Sequence, residues 1–141
     1  QYLEELKELV RSSKLETSII FKGHITGTEK DEILAASLAL ILPSHSENFG
    51  NVVLEALSQG TPVIASKNTP WKALEDHKAG LFVNNDALSL SKAMLSICSQ
   101  SCSERNLMRE NAYKFCSSKY DIKNKINVWV DYFNNIIKSP K

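Results

Sequence analysis

The sequence predicts an α/β fold: a parallel sheet with helices on both faces, followed by a helical C-terminal tail. Three observations predict it. Short apolar runs of strand length recur, each ended by a glycine, a proline or a polar cluster. The segments between them carry apolar residues at helical spacing. Beyond Val83 the pattern is helical throughout. Strands that alternate with helices imply right-handed crossovers and hence parallel pairing.

The elements follow in order. Leu3, Leu6, Leu9 and Val10 recur at helical spacing, so the chain opens on an amphipathic helix. Lys14 to Thr17 is a polar connection, and Ser18-Ile19-Ile20-Phe21 is a β-branched run that reads as a strand ended by Gly23. Thr28 and Asp31 fit a capping box for a helix from about Glu29 to Ser37. Leu38 to Leu42 is continuous and apolar up to Pro43, the pattern of a strand buried on both faces. A helix is expected over Phe49 to Gln59, with Gly60 as its C-terminal glycine. Pro62 to Ala65 is a second buried strand, Trp71 to Glu75 a short helix, and Gly80 to Val83 the last strand. Three helical stripes close the chain: Leu90, Met94, Ile97; then Met108, Ala112, Phe115; then Ile122, Ile126, Trp129, Val130, Phe133, Ile137. The third is the strongest and reads as core, or as apolar surface left exposed where a partner domain outside this chain would cover it. Asp86 and Asp121 are the expected N-caps.

At 141 residues, 43% hydrophobic and 23% charged, the chain has the size and composition of one globular domain, covering residues 1–141. A net charge of +1 offers nothing to nucleic acid. Cys98, Cys102 and Cys116 are odd in number and have no metal-binding spacing, so they are expected as reduced thiols. No apolar run reaches the length of a membrane span. The chain opens at Gln1 on a charged helix pattern, which leads us to expect a piece of something longer.

In parallel sheets, ligands bind outside the carboxyl ends of the strands. Three such ends are polar or glycine-rich: Lys22-Gly23-His24, Ser44-His45-Ser46-Glu47 and Ser66-Lys67-Asn68. Glu47 precedes the helix that follows the second strand, Gly50 falls at its first turn, and Glu55 lies further in. A glycine there allows close approach to the backbone. The N–H groups of Asn51, Val52 and Val53 would attract an anion, phosphate above all. Two carboxylates flanking an anion site fit the hydroxyls of a nucleotide sugar. They fit equally a dipole partner and a solvated surface glutamate.

The stretch from Pro43 to Val83 resembles the C-terminal, nucleotide-sugar-binding domain of the GT-B glycosyltransferases, in particular the retaining family 4 (group 1) enzymes. Their pattern PSxxExFGxxxxEAxxxGxPVI, the EX7E motif, is met by Pro43-Ser44, Glu47, Phe49-Gly50, Glu55-Ala56 and Gly60-Thr61-Pro62-Val63-Ile64. The resemblance extends upstream through Phe21 to Thr26 and downstream through Ala79 to Val83. It implies a Rossmann-like sheet, the C-terminal half of a GT-B fold, in a two-domain enzyme.

The resemblance further implies roles. Glu47 would be the catalytic-site carboxylate, touching hydroxyls of the donor sugar. Glu55 would hold the ribose, and the backbone of Phe49, Gly50 and Asn51 would contact sugar and diphosphate. Val52 and Val53 would add backbone contacts, and Gly23 and His24 would border the base. No metal or other cofactor is expected, because protein dipoles and cations stabilise the departing diphosphate. The implied partners are a UDP-, GDP- or ADP-sugar donor, an N-terminal domain outside this chain, and a saccharide or lipid-linked acceptor. The expected location is the cytoplasm, or the inner face of the membrane through that other domain.

The chain departs from the family in two places. Where many members read GGxxExI, it has Asn68-Thr69-Pro70-Trp71-Lys72-Ala73, a variant resembling some bacterial surface-polysaccharide transferases. The family's basic Arg/Lys pair lies upstream of Gln1, so this piece alone is expected to be inactive. His24, His45 and Lys67 lie at the expected site edge, and Trp71 either walls the cleft or packs the short helix. The alternatives to transfer are a GT-B-like nucleotide-sugar epimerase, a phosphorylase-like enzyme and a non-catalytic nucleotide-binding module.

Overall fold

The computed structural model describes residues 1–124 and 126–138. Its elements are α1 (Tyr2–Ser12), α2 (Gly27–Ala36), β1 (Leu40–Leu42), α3 (Asn51–Ser58), β2 (Val63–Ser66), α4 (Ala73–Asp76), β3 (Gly80–Val83), α5 (Ala87–Cys98), α6 (Cys102–Tyr120), a 3-10 turn (Ile122–Asn124) and α7 (Ile126–Lys138). The three described strands pair in parallel in the order β1-β2-β3. The register sets Leu40 beside Val63 and Val63 beside Gly80.

Strand alternation divides the core into two clusters. Leu40, Leu42, Val63, Ala65 and Phe82 join Leu34 of α2, Val53, Ala56 and Leu57 of α3, Leu74 of α4, and Ala112 and Phe115 of α6. Ile41, Ile64, Leu81 and Val83 face the other way, onto Ala93 and Ile97 of α5. The helices therefore cover both faces of the sheet, as the sequence predicts. The central strand β2 is buried along its whole length.

Two local devices fix α3 and β2. The helix ends in a Schellman turn: Gly60 has φ +69°, its N–H bonds to Leu57 O at 3.0 Å, and the Thr61 N–H bonds to Ala56 O at 2.9 Å. The Thr61 hydroxyl, fully buried, then donates to Leu34 O at 2.6 Å and ties α2 to the start of β2. Arg109 of α6 reaches back to Ser37 O at 3.0 Å and Ala35 O at 2.8 Å, closing the end of α2. Asp86 caps α5, its carboxylate accepting from the Ser89 N–H at 2.8 Å.

Several expectations need correction. Ser18–Phe21 forms no strand: with no neighbour to complete a ladder, its β-branched residues stay exposed, Ile20 most of all. The helix after it starts at Gly27 with Thr26 as its N-cap, and the Thr28/Asp31 capping box does not form. Leu38 lies outside β1, which is half-buried rather than covered on both faces, because it is an edge strand of the described sheet. Met94 is exposed although it shares a stripe with the buried Ile97. Asp121 caps the 3-10 turn, accepting from the Lys123 N–H at 2.9 Å, and not a full helix. The third stripe is helical but not core: α7 has no buried residue, and Trp129, Phe133 and Ile137 are all exposed.

Candidate functional site

Because the strands are parallel, the segments after β1, β2 and β3 emerge on one edge, and backbone and side-chain contacts cross-brace them there. The Ser66 hydroxyl at the end of β2 donates to Ser44 O at 2.6 Å. The Lys67 N–H donates to Val83 O at 2.8 Å. His45 Nδ1 lies 3.3 Å from the Asn85 side-chain nitrogen, so His45 is engaged with the loop after β3. The Lys67 side chain is exposed.

Residue Gly50 sits at the mouth of α3 as its N-cap, not inside the first turn, with φ 79° and ψ 70°. That left-handed conformation is one a side chain resists. A Cβ there would stand 3.1 Å from Glu47 Cγ and 3.4 Å from both Leu42 Cδ2 and Trp71 Nε1. Gly50→Ala is therefore expected to cost about 1–3 kcal/mol through backbone strain. It should lower the melting temperature by roughly 3–10 °C, and a thermal scan that shows no change would contradict this account.

The helix mouth offers fewer donors than expected. The Val53 N–H already donates to Gly50 O at 2.9 Å, and its side chain is fully buried. Val53 is thus a core residue whose N–H is spent inside the turn. The Asn51 and Val52 N–H groups have no partner among the described residues. Asn51 is exposed and Val52 half-buried, so these two amides are the ones an anion could reach.

An aromatic cluster holds the loop that precedes α3. Trp71 is 1% exposed, and its indole N–H donates to Phe49 O. Its ring centroid lies 5.3 Å from that of Phe49 and 5.7 Å from that of Tyr120. Phe49 is itself partly exposed at the rim. Trp71 therefore packs the fold and shapes the rim at once. Burial pushes the Tyr120 phenol and the Cys116 thiol above their ordinary values, with Asp121 adding to the effect at Cys116.

The two glutamates lie in different surroundings. Glu47 is half-buried beside Gly50, and its carboxylate has no hydrogen-bond or ion-pair partner among the described residues. Glu55, one turn into α3, accepts from Lys30 Nζ of α2 at 2.7 Å. Lys30 lines a cavity of about 490 Å³ together with Gly23, His24, Ile33, Leu40 and Val52. Glu55 lines a second cavity, of about 400 Å³, with Leu54, Tyr113, Cys116, Tyr120 and Asp121. The ion pair stands between the two. Gly23 and His24 thus share a cavity with Val52 and Lys30, while Glu47, Phe49, Gly50 and Asn51 gather at the helix mouth. Sequence reasoning missed Lys30 because its partner is 25 residues away and only the packing of α2 on α3 joins them.

A parallel sheet with helices on both faces is the fold of the GT-B class, as its solved neighbours show. The chain belongs to the group 1 glycosyltransferases: the family model described as "Glycosyl transferases group 1" matches residues 1–115. Among sequence relatives, it is 30% identical to the mouse alpha-1,3/1,6-mannosyltransferase ALG2 over 95 residues, which are 67% of this chain and 23% of that protein. Among solved structures, it is similar to the C-terminal domain of the group 1 glycosyl transferase LpcC from Francisella tularensis. The TM-score there is 0.72 at 26% identity, over 86% of this chain and 63% of that one. The Anabaena Alr3699/HepE structure in complex with UDP shares the fold at TM-score 0.82 and 22% identity, over 95% of this chain and 37% of that one. The chain thus spans less than a quarter of the length of the mouse relative.

Proposed function

We propose that the chain is the donor-binding domain of a retaining glycosyltransferase, part of a longer two-domain enzyme that moves a sugar from a nucleotide-sugar to an acceptor. The observation that carries this reading is the mouth of α3. Gly50 clears the backbone, the Asn51 and Val52 amides are open, and one glutamate stands on either side. Two amides at a helix N-terminus suit a diphosphate, whose charge grows as it leaves the sugar. Glu47 would orient hydroxyls of the donor sugar, an effect on positioning rather than attack. Glu55 would accept from the ribose, and Gly23 and His24 would border the base in the cavity they line.

Two comparisons support the reading. The Alr3699/HepE fold has been solved with UDP and with UDP-glucose, and the mouse relative is named a mannosyltransferase. The acceptor, a saccharide or a lipid-linked one, would meet the other domain. The Thr69-Pro70-Trp71 variant points to work in bacterial surface-polysaccharide synthesis, at the inner face of the membrane. None of the described helices is long and apolar enough to cross a membrane.

The test is an NMR titration of the chain with UDP-, GDP- and ADP-sugars, beside Glu55→Gln. Shifts at Gly50 to Glu55 with one nucleotide, at millimolar concentration, are expected. Glu55→Gln should weaken that binding about tenfold or more, the value of hydrogen bonds to a charged group. No shift at α3 with any of them would sink the reading.

A further inference from the structure

The described ion pairs differ in what they join. Lys7–Glu4, Arg11–Glu8 and Lys114–Glu110 each lie within one helix, and Lys22–Glu29 is long at 3.6 Å and open to solvent. Lys30–Glu55 alone among them joins two helices, α2 and α3, with side chains 27% and 36% exposed. It also stands beside the helix mouth. A pair within one helix leaves its carboxylate free to follow that helix alone, whereas this pair fixes the Glu55 carboxylate against a second helix.

We propose that Lys30 is a positioning residue: its ammonium holds Glu55 Oε1 so that Oε2 is presented to the ribose of a bound nucleotide, and the pair thereby sets a preference for ribonucleotides over deoxyribonucleotides. The inference rests on the donor-binding reading and adds a residue to it. A glutamate side chain has three rotatable bonds, and without an anchor its carboxylate samples several orientations. Fixing one oxygen removes that freedom before the ligand arrives. The second oxygen has no partner among the described residues. A ribose hydroxyl can donate to it, whereas a deoxyribose carbon cannot, and the unmet carboxylate oxygen then penalises the deoxy ligand. The Lys30 charge also lowers the repulsion between Glu55 and an incoming diphosphate. Lys30 itself lines the cavity that holds Gly23, His24 and Val52, so its ammonium reaches Glu55 from the side on which the base would lie.

The test compares UDP with 2′-deoxy-UDP and 3′-deoxy-UDP, and GDP with its deoxy analogues, on the wild-type chain, Lys30→Met, Lys30→Arg and Glu55→Gln. Binding is read by NMR shifts, and folding by the spectrum of each free variant. For wild type, loss of the contacted hydroxyl should weaken binding about tenfold. In Lys30→Met that ratio should fall to about twofold or less, with the spectrum of the fold intact. Lys30→Arg should restore part of it. Glu55→Gln should lose the ratio as Lys30→Met does, and the double variant should lose no more. A ratio in Lys30→Met equal to wild type overturns the assignment of Lys30 and leaves the donor site standing. A wild-type chain that binds neither nucleotide overturns both readings. A change in fold stability alone cannot alter the ratio between two ligands, so a purely structural Lys30 gives the wild-type ratio.

Discussion

Alanine at Gly80 is expected to prevent the chain from folding. Gly80 opens β3 opposite Val63, and a Cβ there would lie 1.9 Å from Val63 O and 2.9 Å from Val63 C and N. These are backbone atoms of the fully buried central strand, so no side chain can swing aside to make room. The only relief is to part β3 from β2. That would break the ladder that places Leu81 and Val83 in one core cluster and Phe82 in the other. A cost above about 4 kcal/mol follows, a large share of the 5–15 kcal/mol that holds a domain together. The check is soluble yield with circular dichroism: aggregated or unfolded protein is expected. A folded Gly80→Ala chain melting within a few degrees of wild type would show that the strands do not approach so closely.

The second large effect is expected at Trp71. Trp71→Ala removes a fully buried indole that touches Phe49 and Tyr120, and it deletes the donor to Phe49 O. Losses of this kind cost about 3–5 kcal/mol. Trp71→Phe keeps a ring but not the N–H, and should cost about 1–3 kcal/mol, the penalty for an acceptor left unmet. Both can be read from urea unfolding midpoints. The variants should differ in a second way. The alanine frees the loop from Glu47 to Gly50, so nucleotide binding should weaken more than the residual stability accounts for. Equal binding by folded Trp71→Ala and wild type would mean that the loop holds its shape without the indole.

Much of this was legible in the sequence, for identifiable reasons. The β2 and β3 runs were readable because both are short and apolar, β2 being buried along its length, and their ends are punctuated by Pro62, Gly80 and polar loops. The Schellman turn was visible in Gly60, and the α5 cap in Asp86. The glutamate spacing around Gly50 pointed to the helix mouth. What failed were inferences about neighbours. Ile19, Ile20 and Phe21 have strand composition, but a strand exists only in a ladder. The stripe on α7 gave the helix correctly, yet periodicity states which face is apolar and not what covers it. Val53 looked like an available amide until the turn was seen to use it. Lys30 gave no local signal, since its meaning depends on how α2 lies against α3.

The order of the strands in the sheet follows their order in the chain, and this bears on how the molecule assembles. Each strand finds its partner in the next one along, across a single helix, so no ladder waits for a distant segment to arrive. Loop closure grows costly only slowly with length, and here the closures are short. The unit β1-α3-β2 brings together Leu42, Val53, Ala56, Leu57 and Val63 at once. That unit contains the helix mouth. The helix mouth therefore sits in a unit of contacts that are local along the chain, and α6 closes over that unit through Ala112, Phe115 and the Arg109 bond to Gln59 O.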